Sequence, residues 1–238
     1  MDAGGWREDL TVAARPLSIG VVSGLVTGLV VGGAGGRVAM FVLRLTSDPS
    51  LHGVETDDGA IIGVVSFATI FLLLIAAAVG IMGGVLYVVI RDWLPRRGRA
   101  AVAAGFGAVI GGAQLIEPDG LDFTALAPLW LAVAMFVAIP AAYGAMTSAL
   151  VERHFADQEA LATKRWTALL PLLLLLFLGP VGFAVMGGAA LAWLLVRLRP
   201  TLVAIWRSPA VTWIARAALV GFAAVRLVEL VGDVDAIL

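Results

Sequence analysis

The chain has 238 residues, of which 61% are hydrophobic and 14% charged, with a formal net charge of −1. A soluble domain carries about 45–50% apolar and about 25% charged residues, so the apolar excess is more than a globular core uses. The near-neutral charge offers no basic surface for a nucleic-acid partner, and the absence of cysteine removes disulfides, thiol catalysis and cysteine-held metals.

The apolar residues fall in long runs, and a run of about 18 or more reads as a membrane span. The first run outlasts a secretory h-region and no cleavage signal follows it, so it predicts a retained helix over 17–43. Further helices are predicted over 60–90, 100–116 and 125–151, and a last one over 210–231. Each far exceeds the roughly 10 residues of a barrel strand, and none alternates with period two. The fold class is therefore all-α, a single transmembrane helical bundle.

Between these lies an apolar stretch from Thr167 to Val196 with Gly179-Pro180 at its middle. As one helix it would be about 45 Å long against a hydrocarbon core of about 30 Å. Proline also disfavours helix in the residue before it. The stretch is either one kinked helix, giving six helices, or a hairpin of segments 167–178 and 181–196, giving seven. Charge favours the hairpin. Arg91, Arg96, Arg97 and Arg99 place their loop inside, which puts the N-terminus inside. The loop holding Asp48, Glu55, Asp57 and Asp58 then lies outside, as does the Glu117–Asp122 loop. A hairpin returns Arg197, Arg199 and Arg207 to the inside and sends the C-terminus out. The expected location is a bacterial cytoplasmic membrane.

In the first span Gly20, Gly24, Gly28, Gly32 and Gly36 recur every four residues. Such a stripe allows close backbone approach, either to another helix of the chain, which is the leading reading, or to a second copy in a homo-oligomer. A glycine-lined pore is a third use. Gly80 with Gly84, and Gly107 with Gly111, repeat the theme. The run Gly32-Gly33-Ala34-Gly35-Gly36-Arg37 is either a tight helix crossing or an unwound segment able to meet an anion, as in discontinuous transporter helices. Arg37 sits inside its span, where an unpaired arginine costs up to about 3 kcal/mol, and Arg44 follows on nearly the same face. With Asp57, Asp58 and Glu117 they define a candidate polar cluster at the outer face. Arg226 and Glu229 are spaced to pair on the last helix. Arg216 is expected to snorkel to the inner interface. The tryptophans, Trp6 to Trp213, mark the interfaces.

Several chemistries lack their residues. His52 and His154 are predicted in loops on opposite sides, so they cannot share a metal or haem. The one lysine, Lys164, lies in a loop, no GxSG or nucleotide-binding loop occurs, and no carboxylate is predicted deep in a span. No catalytic residue, metal or cofactor is assigned. Gly35-Gly36-Arg37-Val38-Ala39-Met40 with Thr56-Asp57-Asp58-Gly59, and Asp122-Phe123-Thr124 before Pro128-Leu129-Trp130, resemble a pattern in uncharacterised multi-pass membrane proteins of high-GC bacteria. The resemblance implies that the GGR and DDG elements belong together. Membrane lipids are the expected partners. Three functions stay open: a small-solute, ion or lipid transporter or channel; a non-catalytic structural or accessory subunit; and a lipid-modifying enzyme, for which these residues offer least.

Overall fold

Long apolar runs with glycine at helical spacing bury their backbone polar groups only by forming helices, and helix is what the chain forms. The computed structural model describes residues 5–48, 67–124, 126–157, 169–199 and 201–238. Helix α1 is Gly5–Thr27, continued without a break by a π-helical segment, Gly28–Gly35, and by α2, Gly36–Thr46. Helix α3 is Phe67–Ile90. Helix α4, Arg99–Phe106, passes through a second π-helical segment, Gly107–Gly111, into α5, Gly112–Leu115. A short α6, Leu121–Thr124, precedes α7, Leu129–Ala156. A 3₁₀ segment, Leu170–Leu178, leads to α8, Pro180–Leu198; α9 is Thr201–Trp206 and α10 is Pro209–Ile237.

Among the described residues four stretches are long and apolar enough to cross a bilayer: Ala14–Thr46, Thr69–Ile90, Leu129–Ala156 and Pro180–Leu198. The stretch 99–115 is shorter, about 25 Å at helical rise. Helix α10 has 29 residues but carries Arg216, Arg226 and Glu229 along its length.

The centre of the bundle is α1 against α3, with α7 across both and α4 along α7. Glycine sets the α1–α3 distance. A Cβ at Gly20 would lie 2.8 Å from the Gly84 carbonyl oxygen, and one at Gly24 or Gly28 would overlap the carbonyls of Gly80 and Ala76. The two backbones are therefore in contact and antiparallel. Gly107 meets the Pro140 carbonyl and Gly144 the Ala103 carbonyl, so α4 and α7 close in the same way. Toward the end of the stripe the contact fades: Gly32 is 3.4 Å from the Ala76 methyl and Gly36 has nothing within 4 Å.

Apolar clusters fill the two ends. Leu43, Ile116, Phe123, Leu126, Val133 and Leu230 are buried together where α2, α5, α6, α7 and α10 meet. Ile19, Tyr87, Leu94, Ala103 and Val151 are buried at the opposite end. Leu175 joins Val21 and Ile81 on the flank of α1 and α3.

The chain breaks at Gly179, whose φ of 57° and ψ of −133° suit glycine alone. A Cβ at Gly182 would overlap the Leu175 carbonyl, so α8 turns back onto the 3₁₀ segment. Of the two readings of the glycine-rich run before Arg37, the unwound segment does not form: the run widens into a π-helix and stays continuous. One sequence expectation needs correction. The helix predicted over 125–151 begins at Leu129 and runs on to Ala156, so Glu152 and His154 are helical residues and not loop residues.

Candidate functional site

Helix α7 carries Ser148 and Glu152 one turn apart, and α3 carries Tyr87 one turn before Arg91. The antiparallel glycine packing brings these pairs to the same end of the bundle. The Tyr87 hydroxyl lies 2.8 Å from Ser148 Oγ and donates to Glu152 Oε1 at 3.1 Å. Arg91 grips the same carboxylate with two bonds, Nε to Oε1 at 3.1 Å and Nη2 to Oε2 at 2.9 Å. Arg99, at the start of α4, donates from Nη1 to Oε2 at 2.7 Å. The Arg91 guanidinium also lies 3.9 Å from the centre of the Phe155 ring. Burial works against the Arg91 charge, but Glu152 outweighs it and raises the arginine pKa above its ordinary value. Charge-assisted, bidentate geometry of this kind fixes orientation as well as charge.

A second polar contact ties α1 to α7: Ser23 Oγ lies 3.1 Å from His154 Nδ1. The distance would suit a nucleophile and its base. Ser23 is fully buried, however. The pair joins helices. Nearby, Thr27 donates to the Ser23 carbonyl at 2.7 Å and Tyr143 to the Gly80 carbonyl at 2.7 Å. Glu152, 31% exposed, thus has donors on both oxygens and ties α3 and α4 to α7, while Ser23 and His154 tie α1 to α7.

The predicted outer cluster is only partly visible. Arg37 lies in the first turn of α2, with Nε and Nη2 buried and without an acceptor. Arg44 lies in the last turn of the same helix. Asp57 and Asp58 fall outside the described residues. Glu117 is exposed in the α5–α6 connection and lines a cleft of about 720 Å³ with Gln114, Asp119, Arg226, Glu229 and Asp233. There Arg226 pairs with Glu229 and donates from Nη2 to the Ala113 carbonyl at 2.9 Å. Arg226 therefore anchors α10 to α5. Among the described residues no group of three or more His, Asp or Glu is placed to hold a metal.

Arg216 holds the other half of α10, donating from Nε to the Trp93 carbonyl at 2.6 Å. The Glu152 cluster escaped the sequence reading because Glu152 stood just past an apolar run. The signal that could have found it is the repeated i, i+4 spacing, Tyr87 with Arg91 and Ser148 with Glu152, at ends the topology places together. Comparison with protein-family models, curated proteins and solved structures finds no match in any of the three.

Proposed function

We propose that the chain is a multi-pass membrane protein serving as a non-catalytic accessory subunit, offering α8 and α10 to the helices of a neighbouring membrane protein. One contrast carries the reading. Helices α1, α3, α4 and α7 close on one another at backbone contact, and Glu152 at their end is saturated with donors. Helices α8 and α10 leave most of their apolar side chains uncovered, among them Phe183, Leu191, Val220 and Val228. Their glycines Gly187, Gly188, Gly221 and Gly232 have nothing within 4 Å. In the core of this chain small residues of that kind lie against other helices, and small residues are what membrane helices use to approach each other.

The topology of the reading is seven helical segments with the N-terminus cytoplasmic and the C-terminus outside, in a bacterial inner membrane. Parity supports it. Helix α7 ends beside Arg91, and α10 begins at the same end, with Arg216 on Trp93 and Arg207 3.9 Å from Asp92. The chain between them leaves and returns to one side. The 3₁₀ segment is about 18 Å long, too short to cross alone, so it and α8 are read together as one hairpin excursion from this side. The end that holds Arg91, Arg96, Arg97, Arg99 and Arg207 is the cytoplasmic one by the charge rule.

The chain has no cysteine, so a single Gly188→Cys or Gly221→Cys carries a photo-crosslinker without interference. The expected result, in native membranes, is one discrete adduct with a second polypeptide from each position. Adducts with lipid alone from both positions would overturn the reading.

A second reading, transport of a small anion, has one observation in its favour: the buried, unpaired nitrogens of Arg37 beside the π-helical segment. It predicts anion flux in proteoliposomes that R37A abolishes. Equal flux in the wild type, R37A and empty vesicles would end it.

A further inference from the structure

We propose that the corner formed by the α3–α4 connection and α9 is a binding site for the headgroup of an anionic phospholipid. It rests on the membrane placement of this end and not on the accessory role. Two contacts join Asp92 and Trp93 to partners more than a hundred residues further along the chain. The rings of Trp93 and Trp206 stack obliquely, 4.7 Å between centres, and Arg207 reaches Asp92 at 3.9 Å. The two segments so joined carry exposed arginines, Arg96 and Arg97 on the first and Arg199 and Arg207 on the second.

The charge there is unbalanced. Asp92 is the acid on the α3–α4 connection, and it is shared at long range between Arg91, 3.7 Å, and Arg207, 3.9 Å. Arg96, Arg97 and Arg199 have no carboxylate partner among the described residues. Trp93 Nε1 is buried and has no acceptor, although the Trp93 carbonyl is satisfied by Arg216. A buried indole N–H without a partner costs roughly 1–3 kcal/mol, so Trp93, whose ring stacks on Trp206, keeps an unused donor in this corner.

The surroundings are apolar. Leu202, Ile205 and Trp206 on α9 are 36%, 55% and 43% exposed. Guanidinium groups beside an aromatic and aliphatic ledge suit a ligand with a phosphate above and acyl chains below. Basic pockets at the cytoplasmic ends of membrane helices recognise anionic headgroups on this basis, and indole rings sit at that depth. A zwitterionic headgroup would bring its own cation to the arginines and gain less.

Native mass spectrometry of the full chain released from nanodiscs tests the site. The nanodiscs would contain equal phosphatidylglycerol and phosphatidylcholine. Wild-type protein should retain phosphatidylglycerol preferentially, and R207Q should lower that preference about fivefold, the loss of one arginine contact at a membrane surface. R153Q removes one exposed arginine from the same end, where Arg153 lies 3.8 Å from Asp157, and should leave the preference unchanged. Equal retention of the two lipids by the wild type would overturn the proposal whether or not the variants fold. So would an equal effect of R153Q and R207Q, which would mean diffuse surface charge, or full displacement of the lipid by millimolar inorganic phosphate, which would mean a site for the free anion.

Discussion

Glu152 stands at the end of an apolar helix where a bare carboxylate would be costly, and it persists because its oxygens accept from Tyr87, Arg91 and Arg99. Removing it strands two arginines that are only 18% and 12% exposed. Glu152→Ala should lower the stability of the detergent-solubilised protein by on the order of 2–3 kcal/mol, a loss on the scale of one charged hydrogen-bond partner. Tyr87→Phe deletes one neutral donor and should cost about 1 kcal/mol. Thermal unfolding of the two variants side by side checks the order; a larger loss in Tyr87→Phe would contradict the placement of Glu152 as hub. Arg37 is the opposite case, a charge with buried nitrogens and no acceptor. Its position inside a span was legible because a lone arginine in an apolar run stands out. The Glu152 hub was not, since a carboxylate, an arginine and a histidine just past an apolar run look like the start of a loop. Only the partner helices reveal that α7 continues.

At the scale of elements, glycine decides which helices touch. Four-residue spacing predicts a stripe, and Gly20, Gly24 and Gly28 lie against the complementary Gly80 and Gly84 of α3. The spacing alone could not say whether the stripe would face another part of the chain or a second copy, because that depends on a matching stripe in the correct register. Gly24→Leu places a side chain into the backbone of α3 and should destabilise by about 1–3 kcal/mol, the range for overpacking, with loss of resistance to unfolding in detergent. Gly36→Ala meets nothing and should be neutral or stabilising by under about 1 kcal/mol. Equal losses in the two would refute the gradient along the stripe. Gly179→Ala forces a side chain into a backbone region reserved for glycine, and should cost about 1–3 kcal/mol. The break at Gly179-Pro180 was legible from the proline. The π-helical segments were not, since glycine runs suggest unwinding as readily as widening, and the neighbouring backbones of α3 and α7 decide between them.

For the whole molecule, the apolar face of α8 and α10 is too extensive for water and natural in lipid. The helical class was legible from composition and run length, which reflect the bilayer's thickness and its lack of hydrogen-bonding partners. The way α9 and α10 attach to the α3–α4 connection was not legible, because it depends on Asp92 meeting Arg207 and Trp93 meeting Trp206 and Arg216 across more than a hundred residues. Those contacts place the start of α10 at the end of the bundle that holds Arg91, while Leu230 packs in the cluster at the opposite end; the proposed topology rests on them. The direct measurement uses the absence of native cysteine. Single cysteines replacing Arg97 and Leu238 are labelled in intact cells with a membrane-impermeant maleimide. The account predicts that the cysteine at 238 is labelled from outside and the one at 97 only after the membrane is opened. Labelling of both from the same side would contradict it.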